Sequence, residues 1–133
     1  MDLDRGSLEM AVRYALEGSL LKLVLEGRYE PGDIIAQFVA GLADPKCPEQ
    51  VALLVDVTKS ESLETRAPHE IRLVAEQLGP YRERIGARCA VVAARDVHFG
   101  LCSMGIVYCE GVGVEAAVFR DSKSALEWLR VPV

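Results

Sequence analysis

Apolar and polar residues alternate in the N-terminal part of the chain, with the period of two residues that is typical of half-buried β-strands. One alternating segment spans residues 20–28, and a less regular one lies at 10–15. The leucines that share one side of the first segment are Leu21, Leu23 and Leu25. A short turn containing Gly18 separates the two segments. The pattern therefore predicts an N-terminal β-hairpin.

The rest of the chain alternates between helical segments and short, almost entirely apolar runs. Such runs are expected of central strands that are covered on both faces, and they occur at 51–57, 88–94 and 114–120. Helices are predicted to begin at Pro31, at about Pro68, at Val97 and at Asp121 or Ser122. The predicted element order is β-β-α-β-α-β-α-β-α.

Strands that alternate with helices after an initial hairpin predict an α/β fold with a mixed, mainly parallel sheet. The 133 residues have the length of one domain, which we place at 10–133 after a loose lead-in at 1–9. Folds of this kind place their sites in loops beyond the carboxyl ends of the strands. These loops are 58–67, 95–97 and 121–123.

The amino-acid composition and net charge exclude or disfavour some classes of protein. Half of the residues are hydrophobic and 26% are charged, which excludes a disordered chain. The apolar share is slightly high for a small monomer and indicates a dimer interface or an apolar pocket. The net charge of −5, without a basic face, argues against nucleic-acid binding.

No transmembrane segment is expected, because the longest apolar run, at 99–109, is far shorter than the ~20 residues that a spanning helix needs. The N-terminus is acidic and polar, unlike a signal peptide, so we expect a cytoplasmic protein. The four cysteines form no CxxC pair and have no zinc-finger spacing. We therefore predict neither a metal site nor a cofactor.

The segments VVAARDVHFGL, VFRD and ALEWL, with Met104 and Gly113 between them, resemble the SpoIIAA-like, STAS/Sec14-type family of small bacterial and archaeal proteins. LVDVTKSESLE is similar to the central strand and following loop of that family. The resemblance covers about residues 10–130. It implies a sheet of four or five strands flanked by four helices, as in anti-sigma-factor antagonists and, more loosely, lipid-exchange domains.

The antagonists carry an Asp-Ser-Ser-Gly-like motif after the central strand, where a kinase phosphorylates a serine. The corresponding positions here are Glu64, Thr65 and Arg66. Arg66 replaces the usual acceptor serine and the glycine is absent, which argues against a kinase switch. Thr65 and Ser62 remain candidate phosphorylation sites.

Cysteine–histidine chemistry is the enzymatic alternative. His98 and Cys102 are four residues apart and would share a helix face. A Cys–His nucleophile needs that contact and an activated thiolate. We expect His98 to face solvent or a helix cap instead, and we predict no catalytic residue and no enzyme.

The predicted helix at 97–109 is apolar nearly all round, whereas a surface helix shows a polar stripe. It must be covered on more than one side, as a core helix, at a dimer or partner interface, or along an apolar pocket. The candidate interface or pocket residues are Phe99, Leu101, Met104, Ile106 and Tyr108.

We therefore expect a non-catalytic regulatory or protein-interaction module of STAS-like type, with a protein partner or a second copy of the chain in a homodimer. The candidate partner-binding residues follow the central strand: Lys59, Ser60, Glu64, Thr65 and Arg66. The alternative is a carrier or sensor of a small apolar ligand, held in a pocket beside the 97–109 helix.

Overall fold

A computed structural model of the protein describes residues 11–86 and 88–130, so the predicted lead-in at 1–9 lies outside the described residues. The described part forms a five-stranded sheet and four helices in the predicted order. The strands are β1 (Val12–Glu17), β2 (Leu20–Gly27), β3 (Ala52–Ser60), β4 (Arg88–Val92) and β5 (Glu115–Phe119). The helices are α1 (Pro31–Ala43), α2 (Pro68–Glu76), α3 (Asp96–Gly111) and α4 (Ser122–Leu129).

The strands lie side by side in sequence order. Strands β1 and β2 form the predicted antiparallel hairpin, and each later strand pairs in parallel with its predecessor. The turn of the hairpin contains Gly18 at a φ of +62°, a left-handed conformation that glycine adopts without strain. The mixed, mainly parallel α/β sheet is thus confirmed.

Strand β3 is longer than the apolar pattern predicts. It continues past Val57 to Ser60, because β2 accompanies it: after an irregularity between Val24 and Glu26, Gly27 pairs with Ser60. The last residues of β3 are polar since they lie at the sheet end, where the loop to α2 begins. Two short 3₁₀ turns, at 63–65 and 79–81, flank α2.

The helices cover the two faces of the sheet unequally. Helices α1, α2 and α3 lie over the side chains of Leu23, Leu53 and Cys89, which share one face with alternate residues of their strands. We call this the three-helix face. Helix α4 covers the opposite face, where Ala125 packs against Leu54 and Ala90. The main core therefore lies between the sheet and three helices.

Helix α3 is covered on two sides, as its apolar sequence predicts. It packs against β5 and against α2. A Cβ atom at Gly105 would lie 3.2 Å from Ile71 of α2, so this glycine permits the close approach, whereas the space at Gly100 is open. Val97 and Val107 remain 43% and 65% exposed on the outer side of the helix.

Candidate functional site

An apolar cavity of about 130 Å³ lies between the three-helix face of the sheet and the helices that cover it. From the sheet, its walls include Leu23, Leu53, Val55, Cys89, Val91 and Ala116. From the helices, they include Ile34, Phe38, Ile71, Val74, Cys102 and Ile106. Helix α2 packs against α1 and α3 and forms the wall opposite the sheet.

Small side chains account for the space. Cys89 and Ala116 lie on neighbouring strands, and Ala75, Gly105 and Cys109 lie on the helices that face them. Interiors of proteins are normally packed to the density of organic crystals, with few voids larger than a water molecule. Small residues on both sides of one layer leave room that the surrounding leucine and isoleucine side chains do not fill.

Three thiol groups line the cavity, and burial keeps them protonated. Burial raises the pKa of Cys102 to about 12 and that of Cys109 to about 11, and it raises the pKa of Cys89 as well. A thiolate, not a thiol, is the nucleophile of cysteine chemistry. The thiols therefore act here as small, polarisable apolar groups.

Polar side chains line one end of the cavity. There, Arg66 contacts the residues just before α1 and the first turn of α2. Its Nη2 donates a hydrogen bond to the Tyr29 carbonyl oxygen. Its Nη1 lies 3.6 Å from a carboxylate oxygen of Glu30 and 3.6 Å from one of Glu70. The Arg66 side chain is only 14% exposed. One cation therefore shares this end with two carboxylates.

A buried hydrogen-bond network shapes the loop beside that end. The Tyr29 and Ser60 hydroxyl oxygens lie 2.6 Å apart, and the Leu63 N–H donates to the Ser60 hydroxyl at 3.2 Å. The Tyr29 N–H donates to Ser62 Oγ at 3.4 Å. Burial raises the pKa of Tyr29, so the phenol stays neutral. The hydroxyl groups of both serines thus hold the loop against the start of α1.

His98 is fully buried, which corrects the expectation that it faces solvent or a cap. Its Nε2 lies 2.7 Å from Glu64 Oε1, on the 3₁₀ turn after β3. Arg95 Nη1 lies 3.3 Å from the other oxygen of Glu64. The imidazole can be buried because this carboxylate satisfies one ring nitrogen. The hydrogen bond with His98, above all, lowers the pKa of Glu64 to about 2.

The candidate partner-binding residues lie at the end of β3, as Lys59 and Ser60 do, and on the segment that joins β3 to α2, but they differ in exposure. Lys59, Glu64 and Thr65 are exposed, whereas Ser60 is buried and Arg66 is mostly buried. Their binding of a partner stays a prediction.

The two candidate phosphorylation sites also differ. Thr65 is exposed, and its hydroxyl donates to the Ser62 carbonyl oxygen at 2.6 Å. Ser62 is 2% exposed, so a kinase could reach its hydroxyl only if the loop opened.

Among the predicted pocket residues of α3, Ile106 lines the cavity. The guanidinium of Arg120 lies over the Phe99 ring, with its central carbon 4.2 Å from the ring centre. The other three, Leu101, Met104 and Tyr108, are partly buried. Sequence reasoning missed Cys102, Gly105 and Cys109, which line the cavity beside Ile106. These residues are spaced three and four apart, which places them on one face of the helix. Because the helix is apolar nearly all round, its sequence does not show which face lines the cavity.

Within the described residues, no helix is long and apolar enough to cross a membrane. The same residues contain no group of three or more histidine, cysteine, aspartate or glutamate side chains placed to hold a metal ion.

Comparison with known proteins establishes the fold. No family model matches the chain, and no curated protein matches it. The structure is similar to the crystal structure of an uncharacterized protein from the DUF3478 family, with a SpoIIAA-like fold, from Shewanella loihica PV-4. The two chains are 20% identical, and the match covers 90% of this chain and 92% of that chain with a TM-score of 0.54. The similarity in structure, at this low identity, shows that the chain has the SpoIIAA-like fold that its sequence predicts.

Proposed function

We propose that the chain is a non-catalytic binding module that holds a small apolar molecule in the cavity between the sheet and helices α1, α2 and α3. The observation that most directly supports this proposal is the cavity of about 130 Å³, whose walls are almost entirely apolar. At about 25 cal/mol per Å² of apolar surface, the wall atoms left bare around this half-open space cost the fold on the order of 3 kcal/mol. An apolar molecule that fills the space recovers much of that free energy.

The chemistry of the walls supports binding without catalysis. The three thiols that line the cavity are held in the protonated form by burial. His98 is engaged by Glu64 through Nε2. A Cys–His enzyme needs a thiolate and a base in contact with it, and the raised pKa of Cys102 opposes the first requirement.

A pair of substitutions on β5 tests the proposal. Ala116 lines the cavity, whereas the adjacent Ala117 belongs to the opposite face of the sheet. We expect Ala116→Leu to fill the space and to abolish the rise in melting temperature that small hydrocarbons give the wild type. Ala117→Leu is the matched control and should keep that rise. The proposal fails if no hydrocarbon among benzene, cyclohexane and hexane stabilises the wild type.

A native mass spectrum of gently purified protein provides the second measurement. A reproducible small mass on the wild type, missing from Ala116→Leu, would support a bound apolar molecule. A mass that persists in Ala116→Leu would place the bound molecule elsewhere and contradict the proposal.

The predicted protein-interaction module is a second candidate, and the loop after β3 favours it. Internal hydrogen bonds of Ser60, Ser62 and Arg66 hold the loop in one conformation. A loop that is ordered before binding loses less entropy when a partner binds. The exposed Lys59 offers a charge for such a contact.

The test of this second candidate is Lys59→Glu, with Lys46→Glu in a distant exposed loop as the control. Only the first variant should weaken capture of a partner or self-association in a concentration series of native mass spectra. Equal behaviour of the two variants would count against the loop as an interface.

A further inference from the structure

The walls of the cavity indicate the chemical class of the molecule that it takes, an inference that rests on the proposed function. We infer that the ligand is a neutral, single-ring aromatic molecule without a hydrogen-bonding substituent. Three features of the cavity support this: its size, the nature of its wall atoms and the charge at its polar end.

Size comes first. The cavity measures about 130 Å³. An engineered apolar cavity of about 150 Å³ in another protein stays dry and binds benzene. A single ring therefore fits the space, whereas a long acyl chain exceeds its volume.

The wall atoms favour an aromatic ring over a saturated one. Cys89 lies on β4, and Cys102 and Cys109 lie on the inner side of α3, so sulfur lines two sides of the cavity. Sulfur makes favourable contacts with aromatic rings, often at the ring edge. Phe38 and Tyr29 add aromatic surface to the wall, and aromatic pairs gain energy beyond the area that they bury.

Among the described residues that line the cavity, the buried side-chain atom left without a hydrogen-bond partner is Nε of Arg66, at the polar end and outside the apolar body of the cavity. The Tyr29 hydroxyl is already paired with Ser60. The thiols are weak donors and weak acceptors. A hydroxyl group on the ligand would lose its bonds to water without replacement, which is unfavourable. The cavity should therefore prefer benzene to phenol.

The polar end disfavours an anionic headgroup, which argues against a fatty acid. Arg66 already pairs with Glu30 and Glu70 and with the Tyr29 carbonyl. These three charged side chains sum to one negative charge. A carboxylate placed there could pair with the unpartnered Nε–H of Arg66, but it would add a third negative charge beside a single cation.

Calorimetry and melting curves with a matched ligand series test the inference. Benzene has the ring, cyclohexane has similar size without the aromatic face, phenol adds a hydroxyl, and decanoate adds a chain and a charge. We expect benzene to bind at least roughly threefold more tightly than cyclohexane, from sulfur and aromatic contacts. Phenol should bind roughly tenfold more weakly than benzene because its hydroxyl is left unpaired.

A cysteine pair tests the role of sulfur. Cys102→Ser exchanges sulfur for oxygen in the wall with little change in shape and should weaken benzene binding severalfold. Cys47→Ser is the control, because Cys47 lies outside the cavity wall, and should leave benzene binding unchanged.

The outcomes separate this inference from the proposed function. Cyclohexane or decanoate binding as tightly as benzene, with loss of binding in Ala116→Leu, would overturn the aromatic class and keep the apolar site. Failure of every compound to bind would overturn both. Equal benzene affinity in Cys102→Ser and the wild type would overturn the contribution of sulfur.

Discussion

At the scale of single residues, charged side chains that the sequence assigns to partner binding also form contacts within the chain. Glu64 accepts from His98, and Arg66 bonds the Tyr29 carbonyl. Charge reversal at Glu64 or Arg66 should therefore lower the melting temperature as well as weaken any partner binding, because it breaks contacts that hold the loop.

Glu64→Gln gives a prediction with a defined pH window. The pKa of Glu64 falls from its ordinary value of 4.5 to about 2 in the folded protein. The unfolded chain therefore binds this proton more readily, and the stabilisation by the carboxylate is present above about pH 4.5 and is lost as the pH falls toward 2. The difference in unfolding free energy between the wild type and Glu64→Gln should shrink across that window in urea titrations.

The exposed neighbour Glu61 supplies the control for this experiment. Glu61→Gln should change the unfolding free energy by on the order of 0.5 kcal/mol or less, as for most surface substitutions. A difference between Glu64→Gln and the wild type that stays constant across the window would contradict the role of the His98 contact.

At the scale of elements, close approach of helices to the sheet and to each other defines the core. Gly41 of α1 lies over the hairpin, where an added Cβ would be 2.7 Å from Leu21 Cδ1 and 3.3 Å from the Tyr14 ring. The Tyr14 hydroxyl donates to Asp44 at 2.7 Å, just beyond the helix. These contacts set the position of α1, and with it one wall of the cavity.

Two glycine-to-alanine substitutions test this packing. Leu21 is fully buried and has little room to yield, so Gly41→Ala should destabilise the protein by about 1–3 kcal/mol despite the better helix propensity of alanine. Gly100→Ala, in an open part of α3, should stabilise it by about 0.5–1 kcal/mol. Chemical denaturation measures both values. A stabilising Gly41→Ala would show that α1 can move off the hairpin at little cost.

At the scale of the whole molecule, the cysteine thiols differ in how far the fold shields them from solvent. Cys89 and Cys109 are buried in the cavity wall, whereas Cys102 and Cys47 are partly exposed. Alkylation of Cys89 and Cys109 therefore reports opening of the core, by local or global unfolding.

Iodoacetamide labelling at neutral pH should modify Cys47 first and the three cavity thiols later. The reason is that burial raises the pKa of these thiols, to about 12 for Cys102, and also blocks the reagent from Cys89 and Cys109. Mass spectrometry of peptides from timed samples measures each rate. Faster labelling of Cys102 than of Cys47 would favour the thiol-enzyme hypothesis and contradict the binding module.

The sequence by itself determined the order of the elements and the type of sheet. Alternation in the hairpin, apolar runs at the parallel strands and Pro31 and Pro68 at helix starts are local signals, because each depends on a few neighbouring residues. The all-apolar α3 also indicated cover on more than one side. These signals suffice for a mixed, mainly parallel α/β sheet, whereas the SpoIIAA-like type was implied by the resemblance of segments such as VVAARDVHFGL.

Only the tertiary structure decided the site. Glu64 and His98 are 34 residues apart, and Arg66 meets Tyr29 across 37, so no local pattern shows that they are partners. The cavity exists because small residues of β4, β5, α2 and α3 meet in one layer. Its volume depends on how far apart the packed elements lie, which is a property of the assembled core and not of any segment.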